Sequence, residues 1–418
     1  MVRILVVLSG LGMLSVSAFG ATRHKAKKIV VKKAAPRFGR SSPRTSARTS
    51  AGSRRAKIQR TSFVAAHHPS SHLSRLRASR KRFIFNPWTE PTFADSTSGD
   101  RVDGEDLIVR RAAVQALGPY NGTVVAVDAQ NGRILSLVNQ GLAYKSGFQP
   151  CSTIKLVAAL AGLNEGLIDR NTALHVGRRT SMDLTEAIAR SNNYYFATVG
   201  NRLGFEKVSE YARKFGLGEK ACYNIPEEQA GTLPDAPPAD GGVGMMTSFG
   251  SGINLTPLQL AALVTAMANG GTLYYLQHPR NQDEVANFAP KVKRQLDIAH
   301  WMPEVKQGMG GAVEYGTARR ASYNQNEPIF GKTGTCSDIR SPGVHLGWFG
   351  SFNETGNKKL VVVVLLTGGR PINGPVASGV AGAVYRNLSE EGYFGQPKVG
   401  VAPVALIAPV ISNLSFGN

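Results

Sequence analysis

The feature that most constrains folding is the separation of charge along the chain. Residues 22–82 contain 19 Lys or Arg and no Asp or Glu. They also contain few large apolar residues, so folding could not bury enough surface to offset the loss of conformational entropy. Residues 83–418 hold 29 basic and 28 acidic residues, so the formal net charge of +21 belongs almost wholly to the N-terminal part. We therefore expect a disordered basic linker at 22–82, followed by a nearly neutral folded part.

The N-terminus has the pattern of a secretory signal peptide. Residues 1–21 carry one charge, Arg3, ahead of an apolar run, and Ala18 and Gly20 are small residues placed for cleavage after Gly20. An uncleaved membrane anchor is the alternative, although Gly and Ser dilute a run that is barely long enough to span a bilayer. Either reading predicts export to the periplasm or to the extracytoplasmic face of the cell membrane.

The basic linker is expected to attract polyanions. Few aromatic residues interleave its charges, and an exported protein rarely meets DNA, so nucleic acid is not expected as a partner. Anionic membrane lipids or anionic wall polymers suit such a segment. A solvated linker without a specific partner is the alternative.

Hydrophobic patterning divides the rest of the chain into strands, a helical stretch and strands again. Strand-like runs lie at residues 121–129, 133–139, 329–335, 345–352 and 360–366. Helices are expected at residues 152–166, 180–190, 206–215, 256–270 and 377–388. This order favours an α/β chain of the α+β type. Its central antiparallel sheet would use both ends of the domain, with flanking helices and an inserted helical subdomain.

Ser152 and Lys155 form an S-x-x-K pattern at the start of a predicted helix. A spacing of three places both side chains on one face, and the unpaired N–H groups of a helix start surround the hydroxyl with partial positive charge. A serine is a poor nucleophile until a base takes its proton. A lysine one turn away can do so if its pKa falls from about 10.4 toward neutrality. Alone the pattern is weak, because it also occurs at ordinary helix starts.

Two further motifs follow. Residues 191–193 read Ser-Asn-Asn and end a predicted helix, while residues 332–335 read Lys-Thr-Gly-Thr on a predicted strand. Gly334 has no side chain there, so a substrate could approach the backbone. In this order and context, the three motifs resemble those of the penicillin-recognising serine acyltransferases.

The resemblance is strongest to penicillin-binding protein transpeptidase domains, particularly of class B, and covers about Pro119 to Asn387. The hairpin sequence VVAVDAQNGRILSLV and the later Gly-Thr-Ala at residues 316–318 follow in the family's order. The resemblance implies a β-lactamase/transpeptidase-like fold over residues 119–392. Residues 83–118, too few for a class B pedestal domain, are expected to be a short connecting segment, and residues 393–418 a C-terminal tail.

The resemblance also implies catalytic roles. Ser152 would be the acylated nucleophile and Lys155 its base, while Ser191 would relay a proton between the leaving amine and Lys155. The backbone N–H groups of Ser152 and Thr335 would form the oxyanion hole, where fixed donors stabilise developing charge.

The implied substrate-binding residues are Asn193, Lys332, Thr333, Gly334 and Thr335. Asn193 would orient the substrate amide, and Lys332 would keep the pocket positive. Thr333 and Thr335 would hold the substrate carboxylate. No metal and no cofactor are expected.

The implied activity is that of a peptidoglycan D,D-transpeptidase, which forms a serine acyl-enzyme with the D-Ala-D-Ala stem peptide and is acylated by β-lactam antibiotics. A D,D-carboxypeptidase or β-lactamase-like hydrolase would share the acylation step but let water accept the acyl group. A non-catalytic penicillin-binding scaffold in cell-wall assembly is the alternative from another class. Turnover of a D-Ala-D-Ala peptide separates the scaffold from the enzymes.

A few other residues have side chains of reactive or ionisable types. Cys151 stands where the family usually has Gly, and both it and Cys336 adjoin a motif, so the two are expected near one another. A disulfide between them is not favoured, and three cysteines cannot make a disulfide framework. His345 is expected to be an ordinary strand residue. Glu227 and Glu228 suggest paired carboxylates, but the family has a structural turn there.

Overall fold

The computed structural model describes residues 85–322, 324–337 and 343–395. The predicted signal peptide and basic linker lie outside the described residues, as does all but the first three residues of the predicted C-terminal tail. Within the described ranges, no helix combines the length and apolar character that crossing a bilayer requires.

The core of the fold is a five-stranded antiparallel sheet built from both ends of the domain, as the sequence predicts. The strands are β1 (Gly122–Asp128), β2 (Ile134–Val138), β3 (Leu174–His175), β4 (Ser181–Met182), β5 (Thr272–Tyr275), β6 (Lys291–Gln295), β7 (Ile329–Ser337), β8 (His345–Asn353) and β9 (Leu360–Gly368). The central sheet has the order β2-β1-β9-β8-β7, so β7 lies at an edge. Strands β3 with β4 and β5 with β6 form separate two-stranded sheets.

Helices cover both faces of the sheet. They are α1 (Leu107–Leu117), α2 (Gln140–Ala143), α3 (Lys155–Asn164), α4 (Leu184–Ala189), α5 (Asn193–Lys214), α6 (Gly242–Phe249), α7 (Pro257–Ala268), α8 (Gln282–Ala286), α9 (Met302–Glu314) and α10 (Gly374–Glu390). Helices α1 and α10 pack on one face, and α7 and the helical insertion pack on the other. This arrangement confirms the predicted sheet with flanking helices.

Strand β9 shows why both faces of the sheet must be covered by helices. Its sequence, LVVVVLLTG, is buried at every position. Because successive strand residues point to opposite faces, Val361, Val363 and Leu365 enter the core beneath the helical insertion. Val362 and Val364 enter the core beneath α1 and α10.

The helical insertion differs from expectation around the Ser-Asn-Asn motif. The predicted helix at residues 180–190 is only α4, because the side chain of Asp183 caps its N-terminus by accepting from Glu186 N at 2.8 Å. The motif therefore lies between two helices, and Asn192 caps α5 by accepting from Tyr195 N at 2.9 Å. The helix predicted at 206–215 is the second half of α5, which a non-helical Gly204 interrupts.

Residues 83–118, which the sequence presents as a connection, contribute helix α1 to the described fold. Asp106 caps this helix by accepting from Ile108 N and Val109 N. The buried face of α1 packs against β1, β2 and α10. This part of the segment is thus integral to the packing of the sheet.

Candidate active site

Ser152 lies in a short 3₁₀-helix, Cys151–Ile154, which leads directly into α3. Two bonds from Thr153 close this nucleophile turn: its N–H and its hydroxyl both donate to Pro150 O, at 3.2 and 2.6 Å. Trp348 Nε1 on β8 donates to Gln149 O at 3.0 Å and ties the turn to the sheet. The position of the serine is therefore set by the fold itself.

Lys155 is fully buried, and its amine lies among four oxygen atoms. Nζ is 2.8 Å from Ser152 Oγ and 3.1 Å from Ser191 Oγ. It also donates to Ser191 O at 2.8 Å and to Asn193 Oδ1 at 2.6 Å. One amine thus joins the first motif to the second.

Burial favours a neutral amine at this position, and the contacts leave it able to accept a proton. The two carbonyl oxygens can only accept hydrogen bonds, so they take two N–H donors, and the Ser152 hydroxyl can donate to the lone pair that remains. Burial, and secondarily the positive charge of Lys332, lower the pKa of Lys155 from its ordinary value to about 6. Lys155 is therefore positioned and poised as a base for Ser152.

Lys332 on β7 is the second fully buried lysine of the site. Its Nζ donates to Ser191 Oγ at 2.7 Å and to Thr333 O at 2.9 Å. Burial lowers the pKa of Lys332 to about 7. The hydroxyl of Ser191 thus lies between two lysine nitrogens, where it can pass a proton from one side to the other.

Backbone conformation sets Ser191 in this position. Its φ of +56° lies in the left-handed region, which is uncommon for a residue with a side chain. Residues held in that region often occur at functional sites, where the surrounding structure imposes the conformation. Here the turn directs both the carbonyl and the hydroxyl of Ser191 toward Lys155.

Strand β7 brings the third motif against the nucleophile turn. A Cβ on Gly334 would lie 3.0 Å from Pro150 O and 3.2 Å from Cys151 Cβ, so only glycine fits without displacement. On the other side, a Cβ on Gly374 at the start of α10 would lie 2.8 Å from Thr333 Cβ. These close approaches fix the edge strand from both sides.

The two threonines of this motif have different surroundings. Thr335 is exposed, and its hydroxyl accepts from Gly374 N at 2.9 Å, at the N-terminus of α10. Thr333 is buried, and its hydroxyl lies 2.6 Å from that of Thr317. Thr317 N also donates to Ala189 O at the end of α4. Thr317 thereby links the third motif to the end of α4, which precedes the second motif, and the order of the motifs does not predict this contact.

Hydrogen bonds between side chains join five of the eight predicted site residues: Ser152, Lys155, Ser191, Asn193 and Lys332. Gly334 packs against the nucleophile turn instead, and Thr333 and Thr335 line the neighbouring part of the edge strand. Their catalytic and binding roles stay predictions.

Cys151 and Cys336 lie near one another, as expected, but the expectation that they do not form a disulfide is wrong. Cys151 and Cys336 form a disulfide across 185 residues of sequence, with their Cα atoms 5.5 Å apart. The reason is spatial: Cys336 follows the motif within β7 and meets the nucleophile turn, which Cys151 opens. The third cysteine, Cys222, is free and buried.

The glutamate pair and the histidine have no part in this geometry. Glu228 is buried, and its carboxylate accepts from Ala221 N and Cys222 N, at 3.0 and 2.7 Å. Glu227 is exposed. His345 is a residue of β8, with Nδ1 3.5 Å from Ser337 Oγ. These two hydrogen bonds give Glu228 a structural role in the turn.

The sequence matches the penicillin binding protein transpeptidase domain family over residues 122–390. It is 27% identical over 333 residues to the stage V sporulation protein D of Bacillus subtilis, covering 68% of this chain and 50% of the relative. It is 24% identical over 339 residues to the peptidoglycan D,D-transpeptidase MrdA of Haemophilus influenzae, covering 62% of this chain and 52% of the relative. The chain thus spans about half the length of these curated relatives.

Solved structures show the same fold. Penicillin-binding protein A from Mycobacterium tuberculosis, as a ceftriaxone acyl-enzyme complex, aligns with a TM-score of 0.60 at 20% identity, over 68% of this chain and 78% of that one. Penicillin binding protein 3 from the same organism, complexed with aztreonam, aligns with a TM-score of 0.55 at 23% identity, over 69% and 77%. With the sequence match over 122–390, these findings establish that the chain belongs to the penicillin-binding protein transpeptidase domain family.

Proposed function

We propose that this protein is a peptidoglycan D,D-transpeptidase that forms an acyl-enzyme on Ser152. The observation that carries the proposal is the placement of Lys155, whose amine lies 2.8 Å from the Ser152 hydroxyl while two carbonyl oxygens occupy its N–H groups. The names of relatives such as the D,D-transpeptidase MrdA support the same activity.

Acylation would begin when Lys155 takes the proton of Ser152 as Oγ attacks the carbonyl of the penultimate D-Ala. The developing oxyanion would be held by the backbone N–H groups of Ser152 and Thr335, and removal of one such donor typically lowers rates by roughly 10² to 10³-fold. Collapse of the intermediate would expel the terminal D-Ala. Ser191, within reach of both lysines, would deliver the proton that this leaving amine requires.

Substrate recognition would use the free edge of the sheet. An edge strand offers unpaired N–H and C=O groups to an extended peptide, and β7 is such a strand. Thr335 is exposed beside the N-terminus of α10, where the helix dipole favours a carboxylate. Protonated Lys332 would add positive charge to the same pocket, and Asn193 would orient the substrate amide.

Penicillin acylation tests the assignment of the nucleophile. Intact-mass spectrometry of the purified full-length protein after penicillin treatment should show one adduct, which peptide mapping places on Ser152. Ser152→Ala should show none and should melt at an unchanged temperature. Ser146→Ala, at a serine outside these contacts, should label normally. An adduct elsewhere, or none on the wild type, contradicts the proposal.

A second assay identifies the acceptor. With a D-Ala-D-Ala stem peptide and an added amine, a transpeptidase releases D-Ala and yields the cross-linked product. Release of D-Ala without cross-linking would indicate a carboxypeptidase, and rapid turnover of penicillin a β-lactamase. Acylation without turnover of any peptide would indicate a scaffold.

We also propose that the protein is exported and that the basic linker tethers it to anionic membrane or wall material. The support is the sequence alone: 19 positive and no negative charges at residues 22–82, beside a nearly neutral domain. Each Lys or Arg near an anionic lipid surface contributes about 1 kcal/mol. This attraction falls as salt shortens the Debye length to about 3 Å at 1 M.

Cosedimentation with phosphatidylserine vesicles tests the tether. Full-length protein should pellet at low salt and be released at 1 M, whereas a variant lacking residues 22–82 should stay in the supernatant and be acylated at the wild-type rate. Equal pelleting of the two would reduce the segment to a spacer.

A further inference from the structure

The Cys151–Cys336 disulfide joins the two segments that carry the proposed oxyanion donors. Cys151 is the residue before Ser152, and Cys336 is the residue after Thr335. The bond is thus one residue from each backbone N–H that must face the same oxygen atom. The third cysteine, Cys222, is free, so this is the only disulfide among the described residues.

We propose that this disulfide positions the nucleophile turn and the edge strand for acylation, so that breaking it slows the chemical step more than it weakens binding. The inference rests on the proposed acyl transfer at Ser152. Cys151 and Cys336 are positioning residues, since their sulfur atoms are bonded to each other.

The conformation of Cys151 supports a positioning role. Its φ of +54° lies in the left-handed region that glycine occupies without strain, and glycine is the residue that the family usually has there. A cysteine held in this region at a functional site is a constraint that the surrounding structure maintains. The bond to Cys336 holds this strained residue directly against the edge strand.

The other described hydrogen bonds join the turn to β7 only through an intermediate residue, such as Ser191 between Lys155 and Lys332. Thr153 closes the turn on Pro150, within the turn itself. Trp348 ties the turn to β8 through Gln149, but not to β7. At Gly334 the strand meets the turn only by van der Waals contact. The disulfide is therefore the covalent element that sets the spacing between Ser152 and Thr335.

The size of the effect follows from the geometry of catalysis. A displacement of about 1 Å in an active site can lower a rate by roughly 10²-fold. Loss of the disulfide would let the two donors separate, so we expect acylation to slow by about 10- to 100-fold. Lys332 and Thr335, which would bind the carboxylate, belong to the same strand, so binding should change less than about threefold, far below the loss in rate.

The test uses the full chain and separates binding from chemistry. Stopped-flow acylation by a chromogenic cephalosporin over a concentration series yields a dissociation constant and a limiting acylation rate. The key variant is Cys151→Gly with Cys336→Ala, because glycine accepts the left-handed conformation. Cys222→Ala is the matched control, since it removes the buried free thiol and leaves the disulfide. All rates are taken below the melting temperature of each variant.

Chemical reduction provides a second route that needs no mutation. Dithiothreitol would reduce the protein disulfide to two thiols while its own two thiols are oxidised to a cyclic disulfide. The reduced wild type should show the same loss in limiting rate as the double variant. Reoxidation with oxidised dithiothreitol, which reverses this exchange, should restore it.

The outcomes are distinct. A fall in limiting rate with an unchanged dissociation constant, reversed by reoxidation, supports the positioning role. A lower melting temperature with an unchanged limiting rate overturns it and leaves a cross-link that only stabilises the fold. Failure of the oxidised wild type to be acylated overturns the proposed function as well.

Discussion

Two clusters of buried ionisable side chains in this molecule differ in whether their members have partners of opposite charge. The paired cluster, made of Asp100, Glu105 and Arg110 with His278 beside them, places both carboxylates against the arginine. Arg110 lies 2.7 Å from Asp100 and 3.5 Å from Glu105, and His278 Nε2 lies 3.1 Å from Glu105. The lysine pair, Lys155 and Lys332, has no carboxylate partner among the described ion pairs.

The difference separates structure from chemistry. A buried charge is tolerated when a partner compensates it, and otherwise the group becomes neutral through a shifted pKa. The paired cluster joins helix α1 to strand β2, since Arg110 also donates to Leu137 O at 3.0 Å. The lysine pair instead has pKa values lowered to about 6 and about 7. Such values suit proton transfer near neutral pH.

The largest expected effect follows from removing the base. Lys155→Met keeps an unbranched side chain but has no amine, so the limiting acylation rate should fall by roughly 10² to 10⁴-fold, the usual contribution of general base catalysis. Stopped-flow acylation measures it. Lys293→Met is the matched control, because the Lys293 amine lies 2.9 Å from Glu219 in an ion pair away from the motifs. A wild-type rate for Lys155→Met would remove Lys155 from the mechanism.

Removing the cation of the paired cluster should destabilise the fold without slowing acylation. Arg110→Met leaves Asp100 and Glu105 without their cation, and loss of one partner from a buried pair typically destabilises by roughly 3 to 5 kcal/mol. We expect the lower end, about 3 kcal/mol, because Asp100 still accepts from Asn139 N and Gln140 N. Denaturant unfolding measures the loss. The acylation rate per folded molecule should be unchanged. A slower acylation rate with unchanged stability would contradict the structural role of Arg110.

The lysine pair also predicts a pH profile. Acylation needs neutral Lys155, so the rate should fall about tenfold per unit below its pKa of about 6. Carboxylate binding needs charged Lys332, so affinity should weaken above its pKa of about 7. The ratio of limiting rate to dissociation constant should therefore peak between these values.

The bound complex offers the control for this profile. A bound carboxylate favours the charged form of Lys332 and raises its pKa, so any alkaline fall of the limiting rate should lie at higher pH than the fall of the ratio. Lys332→Arg keeps its charge at all these pH values and should lose the alkaline limb of the ratio. A ratio independent of pH between 5 and 9 would contradict both assignments.

Much of the fold could be predicted because its signals are local. The apolar run of β9 predicts a strand covered on both faces, and Thr256 and Gln259 form the capping box that their spacing predicts. The three motifs predict which residues meet, because their order and elements follow a known family.

What could not be predicted depends on distances between separate segments. The motifs beside Cys151 and Cys336 predict that the two residues lie near one another, but whether they bond depends on the distance between segments 185 residues apart. The contact between Thr317 and Thr333 is hidden for the same reason. The paired cluster is not predicted, because the sequence of residues 83–118 is expected to form only a connecting segment. Asp106 ahead of LIVRRAAVQAL is a helix-start signal that could have found α1.

The smallest expected effect comes from the neighbour of Arg110 on the same helix. Arg111 also forms an ion pair at 2.7 Å, with Glu391, but its side chain is 54% exposed, against 11% for Arg110. Water already solvates both partners of the outer pair, and holding two long side chains in one geometry offsets much of the attraction. Arg111→Met should therefore lower the free energy of unfolding by less than about 1 kcal/mol, and less still in 1 M salt. Parallel denaturant titrations of Arg110→Met and Arg111→Met compare the same residue type at the same ion-pair distance. Equal losses would mean that distance, not burial, decides the value of a charge pair in this protein.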